Sequence, residues 1–175
     1  MMTVLPAVVA GVAALEPELV AVRRDLHAHP ELSWQETRTT ELLGSRLTDV
    51  GWRVRRLPGT GLVADLGPDD AAYRVGLRGD LDALPVVERT GLPWASRTDG
   101  VAHACGHDVH TVATLGAGLA LTPYAGRLTD AGAAVRLLFQ PAEETVPGGA
   151  LKVIEAGGLE GVDLVFAVHC EPTLD

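Results

Sequence analysis

Apolar side chains along the chain alternate between a helical and a strand-like spacing. The helical spacing predicts four helices, over residues 18–27, 33–50, 108–121 and 150–156. Short apolar runs bounded by Gly, Pro and Asp predict five strands, over residues 52–57, 61–66, 73–77, 134–139 and 163–168. The first two strands form a predicted hairpin. Strands that alternate with helices indicate an α/β domain, a layered mixed sheet flanked by helices.

Particular residues set the predicted limits of the second helix. Ser33 and Glu36 have the spacing of a capping box, in which Ser is the N-cap residue. Leu43, Leu47 and Val50 would form the buried stripe of this helix. The strands over 134–139 and 163–168 are almost wholly apolar, so both are expected to be buried.

The first fifteen residues are almost all apolar, and no basic segment precedes them as it would in a signal peptide. The run ends at Glu16-Pro17, short of the ~20 residues that a transmembrane helix needs. It is therefore expected to be an arm or a helix that lies on the core, and no membrane partner is expected.

Composition narrows the class of protein. Apolar residues make up 47% of the chain and charged residues 21%, which is typical of a soluble globular core. The net charge is −9 and basic residues form no stripe, so a nucleic-acid partner is not expected. The two cysteines cannot form the disulfide framework of a small secreted protein, and a cytoplasmic location is expected.

Candidate chemistry is densest in the segment 103–110, just before the third predicted helix. It contains His103, Cys105, His107, Asp108 and His110. A glycine between Cys105 and His107 allows a turn that aims thiolate and imidazole at one point. Together these groups suit zinc, cobalt, nickel or manganese, and zinc most readily. The competing interpretation is a helix start with a structural cysteine.

Other acidic and imidazole groups follow the predicted strands. Asp80 and Asp82 follow the third strand, Glu143 and Glu144 the fourth, and His169 the fifth. Adjacent carboxylates in an extended segment point in opposite directions. One glutamate could therefore bind a metal while the other acts as a general base.

Each of these groups also has an interpretation without function. The aspartates could mark a polar junction between strand and loop, the glutamates could lie in a solvated loop, and His169 could be a core histidine. A competing hypothesis for catalysis is that Cys105 acts as a nucleophile, paired with His107 or His110. That hypothesis leaves Glu143 and Glu144 without a role.

These motifs together resemble a bacterial and plant amidohydrolase family. It includes N-acyl-amino-acid amidohydrolases, hippurate hydrolases and indole-acetyl-amino-acid hydrolases, and it is related to carboxypeptidase G and aminoacylase. The resemblance rests on residues 24–33, 80–85, 103–108 and 140–144, and on His169 with Pro172. It runs in order over nearly the whole chain and implies a zinc-exopeptidase-like catalytic domain.

The resemblance also implies roles for particular residues. The implied ligands of two divalent ions (Zn, Mn, Ni or Co) are Cys105, His107, Glu144 and His169. Glu143 is the implied general base in the hydrolysis of N-acyl or N-aroyl amino acids. Four further residues are expected to orient the ligands without binding the metal themselves: Asp80, Asp82, Asp108 and His110.

Members of the family are longer, with an inserted lid and dimerisation domain and a late histidine ligand. Residues 1–175 are therefore expected to be the N-terminal part of the catalytic domain, with weak activity alone. Longer relatives are expected to form homodimers through the lid. The alternative is a metal-binding remnant or fragment without catalytic activity.

Overall fold

The computed structural model describes residues 4–171. The five described α-helices are α1 (Val4–Ala28), α2 (Thr37–Asp49), α3 (His107–Leu121), α4 (Ala125–Asp130) and α5 (Gly149–Glu155). The five described strands are β1 (Arg53–Arg56), β2 (Leu62–Leu66), β3 (Tyr73–Asp80), β4 (Ala133–Gln140) and β5 (Leu164–Ala167). The predicted order of helices and strands is confirmed, apart from α4, which the sequence pattern did not predict.

The strands form one mixed sheet in the order β1-β2-β4-β3-β5. The predicted β1–β2 hairpin is confirmed, and β2 also pairs antiparallel with β4. Strand β3 runs parallel to both β4 and β5. The carboxyl ends of three strands therefore meet at one edge of the sheet, where α/β proteins commonly bind ligands.

The main core lies between the sheet and the helices α1, α2 and α3. Its fully buried members include Leu26, Leu43, Leu47, Leu115 and Phe139. Leu43 and Leu47 are buried as predicted. Val50 follows the last residue of α2 and is 41% exposed, so its predicted burial is wrong.

Helix α1 is longer than the sequence pattern predicted. It runs without interruption through Pro17, so the apolar N-terminal run and the predicted helix 18–27 are one element. By length and composition alone it is the one described helix that could cross a membrane. It packs on α3, where Leu19 reaches Gly116 and Gly11 faces Ala120.

The capping box predicted for α2 is wrong. Ser33 donates its hydroxyl proton to Asp82 at 2.6 Å and makes no cap, while Glu36 itself occupies the N-cap position. Both carboxylate oxygens of Glu31 instead accept backbone N–H groups, from Arg38 and Thr39, at 2.8 Å each. A carboxylate at a helix N-terminus is favoured by these free N–H groups and by the helix dipole.

Strand β5 is exposed, although its apolar sequence predicted burial. It lies at the edge of the sheet and pairs, among the described residues, only with β3. Phe166 is 56% exposed and Val165 is 42% exposed. Apolar composition indicated a core strand, but the position of a strand in the sheet decides whether a neighbour covers it.

Candidate metal centre

Helix α3 begins at the carboxyl edge of the parallel strands, and a turn at Gly106 places its first residues there. Gly106 has a φ of 86°, in the left-handed region that favours glycine. A Cβ at this position would lie 3.0 Å from the Sγ of Cys170. The turn brings Cys105 and His107, on either side of the glycine, into one cluster.

His107 is the centre of this cluster, and it is completely buried. Its Nδ1 lies 3.4 Å from Asp82. Its Nε2 lies 3.6 Å from Asp80 and from Glu144, and 3.8 Å from Glu143. Burial alone would lower the pKa of His107, but Asp82, Asp80 and Glu144 outweigh it and raise the pKa.

Cys105 and His169 complete one side of the cluster. The Sγ of Cys105 lies 3.5 Å from the Nε2 of His169, and both side chains share a potential metal site with His107. Burial, followed by the neighbouring carboxylate of Glu144, raises the pKa of Cys105 to about 12. This opposes the hypothesis of a nucleophilic thiolate, which requires a lowered pKa.

Glu143 and Glu144 do not diverge, and the prediction of an extended segment is wrong. Ala142 has a φ of 47°, and the chain bends directly after it. Asp82 accepts the N–H of Glu143 at 2.9 Å and that of Glu144 at 3.0 Å. Both carboxylates consequently approach the same nitrogen of His107. Glu143 is the more open of the two, with a side chain 41% exposed against 24% for Glu144.

Asp80 and His110 form a buried pair behind His107. The Oδ1 of Asp80 lies 2.7 Å from the Nδ1 of His110. The backbone N–H of Cys170 donates to the Nε2 of His110 at 2.7 Å. Because Nε2 accepts a hydrogen bond, the proton of a neutral His110 lies on Nδ1 and is donated to Asp80. This pair ties α3 to β3 and to the segment after β5.

Asp82 and Asp108 have different surroundings. Asp82 is buried beside His107. Burial alone would raise its pKa, but the nearby His107 imidazole and hydrogen bonds from Ser33 and the two glutamate N–H groups lower it. Asp108 is equally buried but faces α1, where it meets His27 at 2.7 Å. Of the predicted supporting residues, the structure places Asp80, Asp82 and His110 at the cluster, and Asp108 beside it.

Two residues outside the predicted set contribute to this region. Ser33 donates to Asp82, and the fully buried Glu36 accepts the backbone N–H of Ala142 at 2.7 Å. The pattern Ser33-x-x-Glu36 was visible in the sequence but has the spacing of a helix cap. No local signal distinguishes a cap from a contact with Ala142, which lies more than a hundred positions away.

The chemistry of the cluster fits divalent metal ions. The two ring nitrogens of His107 are buried and have no hydrogen-bond partner among the described residues. Four carboxylates lie within 3.8 Å of this ring, which is costly unless a cation balances them. Sulfur, imidazole nitrogen and carboxylate oxygen together match zinc and similar first-row metals.

A donor set of this kind at the edge of parallel strands defines a candidate divalent-metal centre on an α/β fold. The chain belongs to peptidase family M20/M25/M40, whose family profile matches residues 76–175. This confirms the family relationship that the sequence motifs implied.

Individual relatives extend the match over almost the whole chain. An N-acetyl-L-cysteine deacetylase of Bacillus subtilis is 44% identical over 165 residues, which cover 94% of this chain and 39% of that protein. A protein of Rhodococcus jostii with a provisional glutamate–cysteine ligase name is 53% identical over 161 residues, which cover 91% of this chain and 20% of that protein. The chain therefore spans between a fifth and two fifths of the length of these relatives.

A solved structure shows the same fold. The crystal structure of the YXEP protein of Bacillus subtilis, described as a dinuclear metal-binding peptidase of the M20 family, superposes with a TM-score of 0.84 at 41% identity. The match covers 93% of this chain and 45% of that protein. This confirms the predicted catalytic-domain architecture.

Proposed function

We propose that this chain carries four of the metal-binding residues and the general base of an enzyme that hydrolyses the amide bond of N-acyl amino acids. The observation that supports the proposal most strongly is His107, buried without a hydrogen-bond partner among the described residues and surrounded by carboxylates. Family membership supports amide hydrolysis as the reaction.

Cys105, His107, Glu144 and His169 are the proposed ligands of two divalent ions. When bound, the ions supply Lewis acidity that polarises the amide carbonyl and makes water a stronger acid. Asp82 and the Asp80–His110 pair orient the proposed ligands, as hydrogen-bonded carboxylates do behind metal-binding histidines.

Glu143 is the proposed general base. Its carboxylate is the more exposed of the adjacent pair, so it is open to the water and the substrate. It accepts a proton from the attacking water and then returns that proton to the leaving amine, which departs as the free amino acid. The backbone bond from Glu143 to Asp82 keeps this carboxylate within the cluster.

N-acetyl-L-cysteine is the first substrate to test. The relative from Bacillus subtilis is named as a deacetylase of this compound. The relative from Rhodococcus jostii contains a segment similar to this chain and is named as a ligase that uses cysteine. Release of cysteine from its N-acetyl form would supply such a ligase. As part of the same proposal, residues 1–175 act as the N-terminal part of a catalytic domain whose other groups come from additional sequence.

Metal content tests the ligand set. The chain is loaded with Zn²⁺, Mn²⁺ or Co²⁺, desalted and measured by elemental analysis. We expect Cys105→Ser to lose most of the bound metal because it removes the thiolate. Cys170→Ser is the matched control, since only the backbone of Cys170 bonds to His110. Equal metal content in both variants and the wild type would remove Cys105 from the site.

Catalysis is tested in a longer protein. The matching 165 residues of the Bacillus subtilis deacetylase are replaced by those of this chain, and hydrolysis of N-acetyl-L-cysteine is measured. We expect the chimera to be active and the unmodified 175-residue chain to be weakly active or inactive. A folded, metal-loaded chimera without hydrolysis would favour the alternative, a metal-binding segment that has lost catalysis.

A further inference from the structure

Glu36 is a buried carboxylate outside the proposed metal site. It is fully buried at the start of α2, and the predicted capping role does not describe its contacts. Its Oε1 accepts the backbone N–H of Ala142 at 2.7 Å, and its Oε2 accepts the hydroxyl proton of Thr60 at 2.6 Å. These hydrogen bonds offset part of the cost of burying a carboxylate, and burial still raises the pKa of Glu36.

Its partner Ala142 has an unusual backbone conformation. A φ of 47° lies in the left-handed region, which costs conformational energy for any residue with a Cβ. Such a conformation persists only when surrounding contacts impose it. Ala142 is completely buried, and its N–H points to Glu36.

The two residues after Ala142 are held in the same way. Their N–H groups bond to Asp82, so three successive N–H groups, of residues 142–144, are bound by two buried carboxylates. Glu36 comes from the start of α2 and Asp82 from the segment after β3. The conformation of the bend is thus set by groups that are distant in sequence.

We propose that Glu36 is a positioning residue: by holding Ala142 in its left-handed conformation, it directs the side chains of Glu143 and Glu144 toward His107. Glu36 touches neither glutamate carboxylate and acts only through the backbone. Its effect on metal binding rests on the function proposed above, whereas its effect on the bend does not.

Three variants separate this role from general stability. Glu36→Asp keeps a residue favoured at a helix N-cap but withdraws the carboxylate by one methylene from Ala142. Glu36→Gln keeps a carbonyl oxygen for Ala142, and its amide can donate to the Thr60 hydroxyl. Glu31→Ala is the control, because Glu31 also binds two N–H groups of α2 and its side chain has no bond to residues 142–144.

The first measurement is amide hydrogen exchange in the metal-free chain, read by NMR at residues 142–144 and at Arg38 and Thr39. We expect Glu36→Asp to accelerate exchange at Ala142 by about tenfold or more, since loss of a buried hydrogen bond of ~1.4 kcal/mol changes an opening equilibrium tenfold. Glu36→Gln is expected to stay close to the wild type. Glu31→Ala is expected to accelerate exchange at Arg38 and Thr39 alone.

The second measurement is Co²⁺ titration followed by the ligand-field and thiolate charge-transfer bands. We expect Glu36→Asp to weaken Co²⁺ binding by about 10- to 100-fold, the range for residues that orient metal ligands, and to change the band shape. Glu36→Gln should restore both, and Glu31→Ala should leave the band shape unchanged.

The two proposals fail in different ways. If the wild type binds no Co²⁺, the proposed metal site is wrong, and the exchange data still decide whether Glu36 holds the bend. If Glu36→Asp folds, binds Co²⁺ like the wild type and retains slow exchange at Ala142, the positioning role is wrong. A Glu36→Gln variant as impaired as Glu36→Asp would also overturn it.

Discussion

Glu143 and Glu144 are adjacent in sequence and lie beside the same imidazole, that of His107. Only single substitutions can therefore separate the proposed roles of the two carboxylates. We expect Glu143→Gln to keep its metal and to lower kcat by ~10²- to 10⁴-fold, the range for loss of a general base. Glu144→Gln removes a charged ligand and should lower metal affinity. Metal content and steady-state rates are measured for both variants in the chimeric enzyme.

In the structure the two carboxylates lie close together, so their roles are harder to distinguish than the sequence suggested. Both carboxylates lie within 3.8 Å of the Nε2 of His107, so either could reach a metal held there. Loss of metal in Glu143→Gln with retention in Glu144→Gln would show that the roles are exchanged. Full metal content and full activity in both would remove the pair from the site.

Gly106 is a second residue whose identity matters to the cluster. Gly106→Ala would place a Cβ in a left-handed conformation and 3.0 Å from Cys170. Gly51→Ala is a matched control, because Gly51 has a φ of 91° and open space around it. We expect Gly51→Ala to lower the free energy of unfolding by about 1–2 kcal/mol and Gly106→Ala to lower it further.

Urea unfolding of the metal-free chain measures both glycine variants. The additional loss in Gly106→Ala represents the contact with Cys170, since the backbone cost is shared. Equal losses in the two variants would show that the segment after β5 moves away without cost.

At the scale of whole elements, β5 is the least protected part of the sheet. Its side chains are exposed, and among the described residues its outer edge has no partner strand. An exposed apolar edge strand promotes association between chains. We expect the chain to self-associate as its concentration rises and Phe166→Lys to reduce this association. Asp70→Asn is the matched control, because both substitutions change the net charge from −9 by one unit.

Light scattering against concentration measures this association. A reduction in Phe166→Lys without one in Asp70→Asn assigns the association to the edge of β5. Equal effects in both variants would assign it to net charge instead.

At the scale of the whole molecule, we expect Glu88, which joins a loop to α1, to contribute to stability against acid. Burial alone would raise its pKa, but hydrogen bonds from the Ser96 N–H, Thr90 and His27 lower it to about 2. A lowered carboxyl pKa stabilises the fold above the ordinary pKa of 4.5, and this stability is lost as the pH falls toward 2.

We therefore expect Glu88→Gln to be less stable than the wild type at pH 7, with the difference closing between pH 4.5 and pH 2. Urea unfolding across this range provides the measurement, and Glu16→Gln, at an exposed position on α1, controls for net charge. A difference that stays constant down to pH 2 would show that Glu88 does not carry this pH dependence.

Much of this molecule was determined locally, by the sequence itself. Hydrophobic spacing predicted four helices and all five strands, because the period of a helix or strand is a property of adjacent residues. The dense group Cys105, His107 and His110 indicated a candidate metal-binding segment for the same reason. Glu143, Glu144 and His169 became candidates because they follow predicted strands, and the resemblance to a known family implied their roles.

Other features were decided only when distant segments came together. Glu31 rather than Ser33 caps α2, and Ser33 and Glu36 instead bind Asp82 and Ala142. The convergence of Glu143 and Glu144 and the exposure of β5 are also tertiary outcomes. A hydrogen-bonding side chain takes the best partner that the fold supplies, and a strand is covered only where another element packs on it. Neither condition can be read from a local pattern of residues.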